Sequence, residues 1–597
     1  MPMLAVAVFV ALVHAAWVLL VDELVVSGNL TDGDSYARLV RVTLLYETGD
    51  WFSSLIPRSN APFGDVLHWT RPFDVVLLTM ALPLTPFLGF TKALFLAGAY
   101  VSPLLHVLTA VAVAWAAAPL LGRAGACIAG ALTASRFSVL GYATAGHGDH
   151  HLLFALITVM SFGFFVRALA AEDGGGRSRN ALAAGVFAAV GVWTGTEAFV
   201  FLGLCLSVTG LMWVVDEKEA AQLNFRLVLG FAVALALALL AERGPDNYIA
   251  VEFDRISIVH VSVAALLLAF WGAVLATVNF WRNKGAVARL TAGAAGAAAV
   301  FAVMWTLFPG ILAGPMADVS PELFIFFEDI PEYAPIKEFG YFLIFLGGGF
   351  LIFPWAAWRV FTEWRKRARF FWIWLFVVFA IVVFSLFAAN WVRWSMYAGI
   401  FISIPMAGLL FDVDAAVQNR LPGGLGVLVK ATLILLLVMG PGVAGISMLE
   451  KKSEAESKTK CDLQKVAAFL NRPRWADRPR TIVTSVNFGN ELMYRTGHQV
   501  LSTLHHRNAS GILDAVAILG GVNDEKILRL VNKRNVDLIL LCPSSNSFRL
   551  YTESADENIL FKRLERGDLP LWIREAEVEP GFKKTFRLFE VSISPSS

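Results

Sequence analysis

The stretch GYATAGHGDHHLLF, residues 141–154, places one carboxylate and three imidazoles beside long apolar runs. They belong to Asp149, His147, His150 and His151. An ionisable group at membrane depth costs about a few kcal/mol, so such groups are rarely kept there without a function. A carboxylate combined with an imidazole suits a hard or borderline divalent cation such as Mg²⁺ or Mn²⁺. What this segment could do depends on which side of a membrane it faces.

Other predicted loops carry groups with related chemistry. These are Asp34, Arg38, Arg58 and Arg71 in the first loop, Glu332 in FEDIPEYAP, and Arg393 in ANWVRWSMYA. An arginine near carboxylates suits a phosphate, which its planar fork can bind with two parallel hydrogen bonds. Taken alone, each has an ordinary explanation, since a DxD is usually a turn or helix cap and an interfacial arginine usually snorkels. The elements that position them must therefore be considered together.

The composition predicts a polytopic α-helical membrane protein. Of the 597 residues, 57% are hydrophobic and 16% are charged, and the mean hydropathy is +0.64. A net charge of +2 gives no reason to expect a nucleic-acid partner. Because a span needs about 17–25 mostly apolar residues, we expect about thirteen transmembrane helices. They lie near 3–22, 94–120, 124–141, 151–170, 181–195, 197–215, 225–241, 257–281, 286–309, 339–361, 370–389, 395–413 and 424–443.

The basic residues of the short loops assign the sides of the membrane. With the N-terminus in the cytoplasm, these residues fall on the cytoplasmic side, as the positive-inside rule requires, and FTEWRKRARF is the strongest example. The proline-containing run 74–91 is predicted as an interfacial part of the first loop, because a full span there would reverse this pattern. The opposite side receives 23–93, 142–150, 310–338, 390–394 and everything after 445. The acidic, histidine and arginine groups above therefore face outward together.

At these residues the chain resembles the catalytic subunit of oligosaccharyltransferase, in the C-type glycosyltransferase superfamily. DSYARLVR looks like the first-loop motif of that family, and GHGDHH is similar to its second acidic motif. FEDIPEYAP resembles the third-loop motif, and VRWSMYAGI resembles the arginine-aromatic pattern at the start of a late span. The resemblance covers most of the membrane part. It implies the C-type architecture of thirteen spans followed by an outward soluble domain.

The resemblance also implies roles for particular residues. Asp34, Asp149 and His151 would bind a divalent cation, with Glu332 beside it. Arg393 would contact the pyrophosphate of a polyprenyl-linked glycan donor. We further expect Asp34 and Glu332 to be catalytic. The outward groups expected to bind substrate besides Arg393 are Arg38, Arg58, Arg71 and His506.

One motif of the family is missing. Members that glycosylate asparagine carry Trp-Trp-Asp-Tyr-Gly early in the soluble domain, whereas the comparable place here reads VTSVNFGNELMYRTG. The acceptor is therefore left open as a protein, a lipid or a polysaccharide. The missing motif puts in doubt the activity of classical asparagine glycosylation.

The C-terminal region differs in character from the membrane part, and we divide the chain into 1–448 and 449–597. RTIVTSV, HQVLS and VDLILLCP predict strands that alternate with helices, and the last part predicts a closing hairpin. This pattern is typical of an α/β domain with a partly parallel sheet. His506 lies in TLHHRNASG, which is either a polar loop at the sheet edge or a surface facing the substrate. Cys461 and Cys542 could pair in an oxidising compartment.

The combined prediction is a membrane glycosyltransferase in a bacterial inner membrane, with its C-terminal domain in the periplasm. It would move a glycan from a polyprenyl-linked carrier to an acceptor, with Mg²⁺ or Mn²⁺ as cofactor and membrane lipids around it. A first alternative uses a polyprenyl-monophosphate sugar to modify a hydroxyl of a lipid, polysaccharide or protein. A remote alternative is a transporter of lipid-linked glycans, which should show related halves and a midplane site. No internal repeat is evident in the sequence.

Overall fold

The structure is a computed structural model. It describes residues 2–592 apart from 22, 218, 318, 325–329, 331, 367–369, 422, 454–460 and 584. The helices of the first part are α1 Pro2–Leu20, α2 Gly33–Thr48, α3 Arg71–Ala81, α4 Thr85–Leu88, α5 Phe90–Leu132, α6 Phe137–Ala143, α7 His151–Ala170, α8 Gly174–Thr194, α9 Phe199–Val214, α10 Ala220–Glu242, α11 Ile258–Ala276, α12 Val278–Arg282 and α13 Ala286–Leu307. Four more complete the bundle: α14 Phe339–Arg365, α15 Phe371–Asn390, α16 Ser395–Arg420 and α17 Gly423–Ser453.

Twelve helical segments in the described part of the chain are long and apolar enough to cross a membrane. The predicted spans 94–120 and 124–141 fall largely on one continuous segment, Phe90–Ser135, whose backbone turns at Gly122 with φ 67°. The predicted span 181–195 lies in α8, which is not among the twelve because its first turns are rich in glycine and arginine. The predicted fold class, a polytopic helical bundle with an α/β C-terminal region, is confirmed.

The segment Arg71–Leu88 also has the length and hydropathy of a span, although the sequence predicted an interfacial piece. Its first residue donates its backbone N–H to Glu242 at the end of α10, 3.0 Å away. Two residues after its end, the ring of Phe90 stacks on the ring of Tyr46 in α2, with the ring centres 3.7 Å apart. Both neighbours belong to the end of the bundle that the charge pattern predicts to face outward, which we term the outward end. We therefore interpret the segment as beginning and ending on one side.

The C-terminal region is built on a five-stranded sheet with the order β4-β3-β5-β7-β6. Its strands are β3 Thr481–Val483, β4 Gln499–Val500, β5 Leu538–Leu541, β6 Ile573–Glu575 and β7 Arg587–Val591. The first three are parallel, and β6 and β7 form the antiparallel hairpin predicted from the sequence. Its helices are α18 Leu463–Leu470, α19 Pro473–Ala476, α20 Gly489–Arg495, α21 Ala509–Leu519, α22 Asp524–Lys533, α23 Arg549–Thr552, α24 Leu560–Arg566 and α25 Pro580–Lys583.

The first outward loop packs into the core of this C-terminal region. A two-stranded hairpin in that loop, β1 Leu55–Ile56 and β2 Asp65–Val66, contributes Ile56 to the same hydrophobic cluster as Ile482 and Leu538. Arg495 reinforces the contact by donating to the Tyr36 hydroxyl at 2.7 Å. The C-terminal region is therefore held over the outward end of the bundle. The division of the chain at residue 448 stays a prediction.

A disulfide joins Cys461 to Cys542, with a Cα–Cα distance of 6.0 Å. Cys461 lies just before α18, and Cys542 directly follows the central strand β5. The bond thus ties the entry of the C-terminal region to the middle of its sheet. It closes a loop with a sequence separation of 81 residues, a length at which a disulfide strongly restricts the unfolded chain.

Removing this disulfide should destabilise the C-terminal region without changing its fold. For Cys461→Ser with Cys542→Ser we expect a loss of about 2–4 kcal/mol of unfolding free energy. The measurement is the melting temperature of the detergent-purified protein, with limited proteolysis to locate the weakened region. Cys127→Ser, which changes a free cysteine of the bundle, is the matched control. Equal melting temperatures for the double variant and the control would contradict the prediction.

Candidate active site

A cavity of about 190 Å³ lies where the outward end of the bundle meets the C-terminal region. Its lining comes from several loops that are distant in sequence. The polar lining residues are Asp34, His68, Thr70, Asp149, His150, His151, Trp193, Thr194, Thr196, Glu197, Asp254, Arg255, Glu332, Tyr333, Arg393, His505 and His506. The structure therefore brings Asp34, Asp149, His151, Glu332 and Arg393 to one cavity, and the roles expected of them stay predictions.

The loop 144–150 presents Asp149 to this cavity because two glycines let it approach its neighbours. Gly146 has φ +87°, a left-handed conformation in which a side chain would be strained, and its N–H donates to the Ala99 carbonyl at 2.7 Å. A Cβ on Gly148 would meet the Gly98 carbonyl oxygen at 3.0 Å. The spacing G-H-G-D thus seats the loop against α5, with Asp149 two residues before the start of α7.

Asp149 is the centre of the acidic cluster. Its Oδ1 lies 3.1 Å from the Arg38 guanidinium and 2.7 Å from Nδ1 of His150, and its Oδ2 lies 3.2 Å from Nε2 of His151. Burial favours the neutral acid, but the charges of His150 and Arg38 outweigh that effect and hold the pKa of Asp149 well below its ordinary value. Asp149 is therefore an anion fixed on one oxygen by Arg38.

Asp34 lies beside this cluster in the first turn of α2. Asp32 caps that helix by accepting from the Ser35 N–H at 2.8 Å, which leaves the Asp34 side chain to face the cavity. The Asp34 Oδ1 atom is buried and has no hydrogen-bond partner among the described residues. Burial and the neighbouring charge of Asp149 raise the pKa of Asp34 well above its ordinary value. This carboxylate needs a cation or a proton to be stable there.

Glu332 approaches the cluster from the third outward loop. Its Oε2 lies 3.3 Å from Nε2 of His151, the same ring atom that faces Asp149. Although burial opposes ionisation, the bond and the charge of His151 lower the pKa of Glu332 to about 2. The backbone fixes this position, because the carbonyl of Glu332 accepts from the Arg393 N–H at 3.0 Å. Of the predicted third-loop motif, residues 327–335, positions 327–329 and 331 lie outside the described residues.

Arg393 forms a second wall of the cavity. Its Nη1 donates to the Tyr333 hydroxyl at 2.7 Å, and its Nη2 lies 2.6 Å from the Glu197 carboxylate. The guanidinium also lies 5.0 Å from the centre of the Tyr333 ring. Its side chain is only 12% exposed, so it does not snorkel to the interface. The planar fork is held in one orientation by two partners.

The donor set fits a divalent cation that prefers oxygen ligands. Asp34 offers an unpartnered carboxylate oxygen, and oxygens of Asp149 and Glu332 both converge on the His151 ring. Ligand atoms of Asp149, His150 and His151 lie within 4.8 Å of one another. Several carboxylate oxygens with one imidazole suit Mg²⁺ or Mn²⁺. His150 was not among the predicted ligands, and its bond to Asp149 suits it to orient that carboxylate.

The C-terminal region forms the roof of the cavity. Arg507 fastens it to the loop between α10 and α11, with Nη2 2.5 Å from Glu252 and Nε 2.7 Å from Asp254. His506 bonds to the same aspartate at 2.8 Å. Arg507 already neutralises Asp254. The contacts of Arg507 and His506 with Asp254 therefore join the C-terminal region to the bundle, and they do not suit a cation site. His505 faces the cavity from the roof, and burial lowers its pKa to about 3.

The predicted substrate-binding arginines of the first loop lie in different places. Arg38 lies under the acidic cluster, with its guanidinium 3.6 Å from the centre of the Trp69 ring. Arg58 donates to the Thr496 carbonyl at 2.7 Å, and Arg71 pairs with Asp74 at 2.9 Å. Neither Arg58 nor Arg71 lines the cavity. Their role in binding substrate stays a prediction, and their present contacts hold the loop in place.

The sequence reasoning did not single out Glu197. It belongs to the 3₁₀ turn Thr196–Ala198 that leads directly into α9. The available signal was TGTE, a polar break between two apolar runs. Asp254 and Glu252 were missed for a different reason, because the loop carrying them has no motif and its importance depends on Arg507, more than two hundred residues away along the chain.

Comparison with known proteins finds a likeness in structure only. No family model and no curated protein matches the sequence. Solved structures of the oligosaccharyltransferase of Archaeoglobus fulgidus are similar over 91% of this chain. The form tethered to an acceptor peptide with the NVT sequon has a TM-score of 0.68 at 14% identity, over 69% of that chain. The complex with Zn and sulfate has a TM-score of 0.67 at 13% identity, over 68% of that chain. At these identities the likeness shows a shared fold.

The cation site can be tested by substituting Asp34. Because its Oδ1 has no hydrogen-bond partner among the described residues, we expect the substitution to have little effect on folding. We expect Asp34→Asn to weaken Mn²⁺ binding by at least about tenfold to a hundredfold, because it removes a charged ligand. Titration calorimetry of the chelator-treated, detergent-purified protein measures it. Asp32→Asn is the matched control, since asparagine caps a helix as well as aspartate. Equal Mn²⁺ affinity in the two variants would refute the site.

Proposed function

We propose that the protein is a membrane glycosyltransferase that moves a glycan from a polyprenyl-linked phosphate carrier to an acceptor. The observation that carries this proposal is the cavity in which Asp34, Asp149, Glu332 and Arg393 meet from separate loops. An acidic cluster and a preoriented guanidinium in one cavity suit the departure of a phosphate from a sugar. The shared fold with an oligosaccharyltransferase supports the same reaction class.

Each wall of the cavity has its own task in this proposal. Arg393 would bind the phosphate or pyrophosphate through its planar fork and would stabilise the charge that develops on the leaving oxygen. Asp34, Asp149 and His151 would hold the divalent cation, with Glu332 beside it. When bound, that ion would act as a Lewis acid toward the phosphate oxygens. Among related structures, one contains Zn and sulfate and another a dolichol-phosphate with an inhibitory peptide.

The proposed transfer is a substitution at the anomeric carbon of the sugar. The acceptor hydroxyl or amide attacks the anomeric carbon of the sugar, and a new carbon–oxygen or carbon–nitrogen bond forms. The bond between the anomeric carbon and the phosphate oxygen breaks, and its electron pair stays on the phosphate held by Arg393. Asp34 orients the acceptor and takes its proton. Attack from the face opposite the phosphate inverts the anomeric carbon.

The acceptor separates two versions of this function. The sequence lacks the Trp-Trp-Asp-Tyr-Gly motif at 483–497. This favours, as the second candidate, a transferase that uses a polyprenyl-monophosphate sugar to modify a hydroxyl of a lipid, polysaccharide or protein. The acidic cluster argues for the oligosaccharyltransferase-like version, because it supplies a cation site. A transporter is disfavoured, since the acidic residues and the arginine that line the cavity lie at one end of the bundle rather than at its middle.

We place the reaction on the outer face of a bacterial inner membrane, with the C-terminal region in the periplasm. The disulfide between Cys461 and Cys542 supports an oxidising compartment for that region. The helical segments with the length and hydropathy of spans support a membrane-embedded bundle surrounded by lipid. A polyprenyl carrier would then enter from the lipid, and the acceptor from the periplasm or from the same leaflet.

The arginine provides the sharpest test of the proposed function. Lysine keeps the charge of Arg393 but supplies a single point rather than a planar fork. We expect Arg393→Lys to lose roughly 2–4 kcal/mol of transition-state stabilisation, a rate loss of about thirtyfold to a thousandfold. The assay follows transfer of radiolabelled glycan from polyprenyl monophosphate and pyrophosphate carriers, with the melting temperature measured alongside.

Arg420→Lys is the control, because Arg420 ends the same span at its opposite end and is solvent-exposed. It should retain nearly all of the wild-type rate. Full activity in Arg393→Lys at an unchanged melting temperature would remove the phosphate role from Arg393. The comparison of the two carriers also tells the pyrophosphate version of the reaction from the monophosphate version.

A further inference from the structure

We propose that Glu197 is a counter-ion that Arg393 exchanges for the phosphate of the donor, and that it speeds release of the lipid phosphate product. This inference rests on the proposed function and adds a residue to the same site. It concerns how tightly the phosphate is held, and Glu197 acts through Arg393 rather than on the reacting atoms.

The geometry places the carboxylate where a phosphate would need to be. Arg393 directs one terminal nitrogen at the Tyr333 hydroxyl and the other at Glu197, 2.7 and 2.6 Å away. A phosphate that is bound by the planar fork needs those same terminal N–H groups. The donor must therefore take the place of the Glu197 carboxylate or share the guanidinium with it. Both arrangements set two anions against one cation.

The place that Glu197 occupies attracts anions for a second reason. It lies in the turn Thr196–Ala198 that begins α9, a helix whose residues run from Phe199 to Val214. The start of a helix carries a partial positive charge and unpaired N–H groups, which favour a carboxylate or a phosphate. The guanidinium and the helix start thus meet at one point on the cavity wall. The protein's own carboxylate occupies that point.

Glu197 is able to move away from this point. Its side chain is 25% exposed, whereas that of Arg393 is 12% exposed. Glu197, Thr194 and Thr196 all line the cavity, so a displaced carboxylate would still reach solvent within it. Arg393 is held from its other side by Tyr333. When the phosphate binds, the mobile partner of the pair is therefore the glutamate.

The exchange matters most after transfer, because the product carries more charge than the donor. A polyprenyl-phosphate sugar is a phosphodiester with one negative charge, and its product is a phosphate monoester with up to two. An unopposed guanidinium would hold that product more tightly than the donor and would slow its release. The returning Glu197 carboxylate competes with the product and opposes this effect. The ion pair between Glu197 and Arg393 thus lowers the affinity for the donor and raises the turnover rate.

A purely structural role for Glu197 makes the opposite prediction. If the glutamate only fixes the orientation of Arg393, its neutralisation loosens the fork and weakens binding of every phosphate. If it is a competing anion, its neutralisation tightens that binding. The sign of the change in affinity therefore separates the two roles. The conservative variant Glu197→Gln removes the charge while keeping the size of the side chain.

The experiment uses the full-length protein in lipid nanodiscs with a polyprenyl monophosphate that carries no sugar. We expect Glu197→Gln to bind this probe roughly fivefold to twentyfold more tightly than wild type, a common size for coupled binding. In transfer assays KM should fall and kcat should fall with it, because product release becomes slower. Glu197→Ala, measured in the same way, guards against an effect peculiar to glutamine.

Glu363→Gln is the matched control, since Glu363 pairs with Arg359 at 3.3 Å in α14, away from the cavity. It should leave Kd, KM and kcat unchanged. Unchanged or weaker binding in both Glu197 variants, with wild type binding the probe, would overturn the inference alone. Wild-type protein that neither binds the probe nor transfers a glycan would overturn the proposed function, and this inference with it.

Discussion

The ion pair between Arg38 and Asp149 is the contact on which the outward end of the molecule depends. It joins α2 to the loop before α7, and the two side chains are 2% and 6% exposed. Removing one partner of so buried a pair leaves an uncompensated charge and costs far more than a surface pair. Because Arg38 also stacks on Trp69, the pair fixes two parts of the first loop against the second loop. Trp69 in turn belongs to the core of the C-terminal region.

The sequence predicted the parts of the fold that follow from local chemistry. Apolar runs of sufficient length predicted the spans, and the alternation of short strands with helices predicted the partly parallel sheet. The charge pattern predicted that Asp34, Asp149, His151, Glu332 and Arg393 share one side. Contacts that depend on three-dimensional packing were not predictable in this way. The fastening of Arg507 to Asp254 joins two loops without motifs, and the pairing of Arg393 with Glu197 arises only where two helix ends meet.

The balance of charge in the cavity explains why the site suits a divalent cation. Among the described residues, the cavity is lined by five carboxylates, those of Asp34, Asp149, Glu197, Asp254 and Glu332, and by the guanidinium groups of Arg255 and Arg393. Arg38 and Arg507 pair with Asp149 and Asp254 from behind this lining. When these carboxylates are ionised and the imidazoles are neutral, the negative charges outnumber the positive ones. An excess of this kind in a partly buried space raises the free energy of the folded state unless protons or a cation offset it. Burial, together with the charges of Asp149 and other nearby carboxylates, raises the pKa of Asp34 well above its ordinary value.

The acidic cluster and the roof of the cavity come from different parts of the chain. The acidic cluster and Arg393 belong to loops and helix ends of the bundle, which the packing of the spans holds rigidly. Of the described C-terminal region, Leu504, His505 and His506 reach the cavity, all from one short segment before α21. A change in that segment would therefore alter the roof without moving the acidic cluster or Arg393. The absence of a Trp-Trp-Asp-Tyr-Gly motif at 483–497 concerns the C-terminal region alone, and it leaves the groups contributed by the bundle unaffected.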